Sequence, residues 1–84
     1  MTAKEMFEEL GYRQVNKTNT SVRYEGQPTV VGAYEFYIEI WKREEFGDDF
    51  LIRKATISRE FVSNIWGEEL KAINKQIEEF GWLE

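Results

Sequence analysis

The chain has no cysteine and no histidine, and its 84 residues include a single proline. Without cysteine neither disulfides nor thiolate metal sites are possible, and without histidine the most common general base and metal ligand near neutral pH is missing. Nucleophilic catalysis would have to rest on Ser or Thr beside a lysine or a carboxylate, and no GxSxG elbow is present. The glycines at 26, 32, 47 and 67 never gather into a phosphate-cradling loop, and no EF-hand spacing occurs. No run approaches the ~18 apolar residues of a membrane span, and no apolar signal-peptide core follows Met1 to Lys4. These absences point to a cytoplasmic, non-enzymatic protein with no cofactor, no metal and no membrane partner.

Carboxylates are plentiful and come in adjacent pairs: Glu8-Glu9, Glu44-Glu45, Asp48-Asp49, Glu68-Glu69 and Glu78-Glu79. Neighbours in sequence diverge by about 100° on a helix and point to opposite faces of a strand, so such pairs rarely converge on one substrate. They read as solvated faces and turns. The balance of 11 Lys and Arg against 16 Asp and Glu, a net −5, argues against a broad phosphate-binding surface. Six Phe, four Tyr and three Trp allow a few bulky rings to fill a small core, and the length suits one domain over residues 1–84.

The stretch Glu68 to Trp82, EELKAINKQIEEFGW, carries the clearest helical period, with Leu70, Ile73, Ile77 and Phe80 on one face. Gly81 suits a left-handed cap with Trp82 folding back, and the helix is expected to start between Asn64 and Glu68, capped by Ser63 or Asn64. Thr2 is an N-cap for a short helix over Ala3 to Leu10, presenting Met6, Phe7 and Leu10 on one side and stopped by Gly11. From Tyr12 to Glu25 an extended pattern pairs Val15 with Val22, and Arg13 with Tyr24, about a turn near Thr18 and Asn19. The clearest strand is Tyr34 to Arg43, where Tyr34, Phe36, Ile38 and Ile40 alternate with Glu35, Tyr37, Glu39 and Trp41. A partner strand runs from Phe50 to Ser58. Gly47-Asp48 is a two-residue hairpin signal, and as a loop it sets Ile40 opposite Ala55, Ile38 opposite Ile57 and Trp41 beside Lys54.

The expected fold is α+β: a short N-terminal helix, an antiparallel meander of three or four strands, and a C-terminal helix packed on one sheet face. The C-terminal EELKAINKQIEEFGW, with Glu69-Leu70, Ala72-Ile73-Asn74 and Gly81-Trp82, and the opening TAKEMFEELGY resemble small uncharacterised proteins encoded by phages and prophages of Gram-positive bacteria. This resemblance covers about a third of the chain. It implies a phage or prophage origin and an α+β fold; it implies no reaction.

In the expected register Tyr37, Trp41, Phe50 and Ile52 gather on the face opposite the helix, with Arg43 and Lys54 at their rim. Rings left in water are costly, so these six residues form a candidate surface for a protein partner or a second copy of the chain. The competing reading is that the N-terminal helix or a loop covers the rings as a second small core. A different class of function, binding to nucleic acid, would use Arg13, Lys17, Arg23, Lys42, Arg43, Arg53 and Lys54 around aromatic platforms.

Overall fold

The computed structural model describes residues 1–27, 35–43 and 49–81, with Arg43 and Asp49 described by their backbone alone. The Gly47-Asp48 turn and Trp82 lie outside the described residues. Helix α1 spans Ala3–Glu9, strands β1 to β4 span Tyr12–Lys17, Ser21–Gly26, Phe36–Arg43 and Asp49–Thr56, and helix α2 spans Gly67–Phe80. The strands form one antiparallel sheet in the order β1-β2-β3-β4, a meander with both helices on one face. This is the α+β architecture the sequence predicts.

Local chemistry accounts for the helix ends. Thr2 accepts the Glu5 N–H at 3.2 Å while the Glu5 carboxylate accepts the Thr2 N–H at 2.9 Å, a reciprocal box that satisfies two donors at the start of α1. The chain leaves α1 through Gly11 at φ +92° and leaves α2 through Gly81 at φ +73°, both in the left-handed region where a side chain would be strained.

The core lies between helices and sheet. Phe7 stacks on Tyr24 with ring centroids 3.9 Å apart, and Val22, Ile38, Ile40, Ala72, Ile73 and Ile77 close around them. Even-numbered residues of β3 face the helices, as their alternation predicts. The buried face of α2, however, is Glu69, Ala72, Ile73, Gln76 and Ile77; Leu70 is exposed. The predicted stripe is thus rotated by one position at its start, because Glu69 has partners waiting in the sheet.

Two pairings differ from expectation. In the first hairpin Tyr24 faces Gln14, not Arg13, and a bulge at Val15 shifts the ladder so that Val22 faces Lys17. This bulge, together with exposed Arg13 and Lys17, guards β1 as a sheet edge. Between β3 and β4 the ladder sets Ile40 opposite Ile52, Ile38 opposite Lys54 and Trp41 opposite Leu51, closing at Arg43 and Asp49. It is displaced by three residues from a Gly47-Asp48 hairpin, and an odd displacement turns every β4 side chain to the other face. The observed choice gives Phe50 and Ile52 to the helix side, together with Lys54, which finds Glu69 there, in place of Leu51, Ala55 and Ile57.

Candidate functional site

The register divides the six residues that the sequence groups as a binding face. Phe50 and Ile52 pack against the core under the helices, and Lys54 is buried there with them. Tyr37 and Trp41 are on the opposite face, where Tyr37 is only 2% exposed: the Arg23 guanidinium lies 3.9 Å over its ring, and its hydroxyl donates to Glu60 at 2.9 Å. The Arg43 side chain lies outside the described set. Lys54 has Phe36 and Trp66 as its aromatic neighbours, each with the ring centroid 4.8 Å from Nζ, in place of the expected Trp41. Of the six, Trp41, Ile52 and Lys54 line the groove that follows β4.

Beneath the N-terminal end of α2 is a buried polar cluster. Lys54 donates to Glu69 Oε1 at 2.9 Å, Tyr12 donates to Oε2 at 2.6 Å, and the Trp66 backbone N–H donates to Oε1 at 2.9 Å. Lys54 and Glu69 are 3% and 4% exposed. Burial pushes the Glu69 carboxyl up, but the three hydrogen bonds and the Lys54 charge outweigh it, so the group ionises below the ordinary carboxylate value. Burial, and next the bond to Glu69, push the Tyr12 phenol up. The cluster pairs its own charges and ties β1, β4 and α2 together.

Of the seven basic residues proposed for nucleic acid, Arg23, Arg53 and Lys54 have acidic partners. Arg23 pairs with Glu25 and Glu39, each at 2.9 Å, and Arg53 approaches Glu60 at 3.8 Å. A depression lined by Asn16, Ser21, Arg23, Glu39, Trp41 and Lys42 holds the Arg23–Glu39 pair. Among the described residues no three acidic side chains converge as a metal site would require, and no helix is long and apolar enough to cross a membrane.

What the molecule does leave in water is a run of large apolar side chains after β4. Residues 57–60 make a tight reversal: Glu60 N–H bonds Thr56 C=O at 2.9 Å and Phe61 N–H bonds Thr56 Oγ1 at 3.0 Å. Phe61 to Ser63 then lie along the outer edge of β4, where Val62 bridges Ala55 and Ser63 N–H bonds Lys54 C=O. From this segment into the first turn of α2, Phe61 is 61% exposed, Val62 77%, Ile65 37%, Trp66 70% and Leu70 47%. Val62 and Ile65 share an open groove of about 620 Å³ with Trp41 and Leu51.

This ridge breaks two local rules. Glu60 takes φ +55°, a left-handed conformation that a non-glycine side chain rarely adopts, immediately before Phe61. Trp66 occupies the N-cap of α2 with no side-chain acceptor to offer, although Ser, Thr, Asn or Asp there is worth about 1 kcal/mol. Neither of the predicted caps, Ser63 or Asn64, is used. A usable signal was present in the sequence: Phe61 to Gly67 is a seven-residue run without charge in a chain that is 32% charged. No protein-family model, curated protein or solved structure matches this chain.

Proposed function

We propose that the chain works without chemistry of its own, by docking a protein surface against the ridge of Phe61, Val62, Ile65, Trp66 and Leu70. The observation that carries this reading is Trp66: a large ring, 70% in water, at a position where a small polar residue would make a more stable helix. A sequence that breaks local rules twice within seven residues, and exposes aromatic surface by doing so, has the pattern of a functional patch. Aromatic anchors next to a groove are also what dominates the energetics of protein interfaces. The resemblance of the two ends to phage and prophage proteins extends the proposal to a small protein acting in the cytoplasm of a Gram-positive host.

A variant carrying Phe61→Ser and Trp66→Ser tests it. Serine supplies the missing cap, about 1 kcal/mol, which offsets removal of the cation–π attraction between Trp66 and Lys54, about 0.5–1 kcal/mol. The urea midpoint should therefore hold while capture of a defined protein from a Gram-positive bacterial extract falls at least tenfold, about 1.4 kcal/mol or more. Capture undiminished by the variant would place the interface elsewhere.

A further inference from the structure

We infer that the occupant of the ridge is a second copy of this chain, seated about a two-fold axis. The inference rests on the docking reading and names its partner. Three features support it. The first is area. Enclosed aromatic side chains bury about 150–250 Å² each, so the exposed fractions of the five ridge residues come to roughly 500–600 Å², the upper end of what a monomer leaves in water. Two copies face to face would cover roughly 1,000–1,200 Å², which reaches the ~1,000 Å² that a specific interface needs.

Shape is the second. The edge of β4 carries an open groove whose lining includes Trp41, Leu51, Arg53, Lys54, Val62 and Ile65, and the exposed Phe61 and Trp66, chain neighbours of Val62 and Ile65, are the projection beside it. A two-fold contact is reciprocal, so each copy can seat its projection in the groove of the other. The third is charge. A chain of net −5 repels its own copy in general, yet Phe61 to Gly67 carries no charge and the flanks hold both signs in Arg59, Glu60, Glu68 and Lys71. Exposed pairs already form at these flanks, Arg53 with Glu60 at 3.8 Å and Lys71 with Glu68 at 3.4 Å, and their members can exchange partners across the axis.

Sedimentation equilibrium of the full chain decides the matter. Area does not fix affinity, so the loading spans two decades, and raising it from about 10 μM to about 1 mM should carry the mass from 10.0 kDa toward twice that value. Phe61→Ser with Trp66→Ser should remain monomeric throughout, and Leu70→Lys, a change at an exposed helix position, should weaken the dimer at least tenfold. A wild-type chain that stays at 10.0 kDa at every loading overturns the inference, while ridge-dependent capture from extract would leave the docking reading standing alone. A dimer untouched by both variants also overturns it, because the copies would then meet elsewhere.

Discussion

Ile73→Ala and Ile77→Ala are each expected to destabilise the chain by about 2–5 kcal/mol, whereas Leu70→Ala should shift it by no more than about 0.5–1 kcal/mol. Both isoleucines are completely or almost completely buried in the cluster that holds Phe7, Tyr24, Ile38 and Ile40, so truncation strips packing from all sides and leaves a cavity that the sheet cannot collapse to fill. Leu70 is nearly half in water, and shortening it removes little that folding buried. For a domain of this size, whose total stability is on the order of 5–10 kcal/mol, either isoleucine change takes a large fraction of it. Urea denaturation of the three variants provides the comparison. Equal effects at residues 70 and 73 would mean that α2 is rotated from this orientation.

Lys54→Met should cost about 3–5 kcal/mol, because it leaves the Glu69 carboxylate buried without its cation. Adding Glu69→Gln should recover most of that cost. A glutamine oxygen still accepts from Tyr12 and from the Trp66 N–H, and no buried charge remains. Acid titration offers a second readout of the same pair. Since the folded-state Glu69 carboxyl is held below its ordinary value near 4.5, its contribution is complete above that pH and is lost as the pH falls through the folded value. Wild-type stability should therefore decline below pH 4.5 with a component that the Lys54→Met, Glu69→Gln chain lacks. An additive double variant, as unstable as the two single changes summed, would deny the coupling.

The element order, the meander and the inward face of β3 were all legible in the sequence, because Phe36, Ile38 and Ile40 alternate with polar neighbours and both helices carry stop signals. The β4 register was not. Its residues are apolar on both parities, with Phe50 and Ile52 on one and Leu51, Ala55 and Ile57 on the other, so period-two alternation could not choose a face. The hairpin signal at Gly47-Asp48 then pointed to the wrong pairing: the observed ladder puts Phe50, Ile52 and Lys54 under the helices instead. The rotation of α2 was hidden for a related reason. Leu70 fits an apolar stripe better than Glu69 does, until Lys54 and Tyr12 are seen to converge on that carboxylate from strands far away in sequence. A bulge such as that at Val15 leaves no mark on composition at all.

The candidate surface moved for the same cause. Reversing β4 took Phe50, Ile52 and Lys54 off the open face and left Trp41 facing a groove whose other wall comes from Val62 and Ile65. Five of the large apolar residues exposed among the described ones, Phe61, Val62, Ile65, Trp66 and Leu70, therefore follow the sheet instead of lying on it. Their exposure depends on a reversal at Glu60 that the sequence does not announce, since nothing in its residues demands a left-handed backbone.

The most direct test of the ridge as the contact between copies is a series of amide NMR spectra recorded as the full chain is concentrated from about 10 μM to about 1 mM, two decades chosen because area does not fix affinity. Self-association through the ridge predicts concentration-dependent shifts confined to residues 61–70 together with Trp41 and Leu51, with the Trp66 indole moving most. Spectra that do not change, or shifts gathered on Arg23, Tyr37 and Glu39 of the open sheet face, would contradict it.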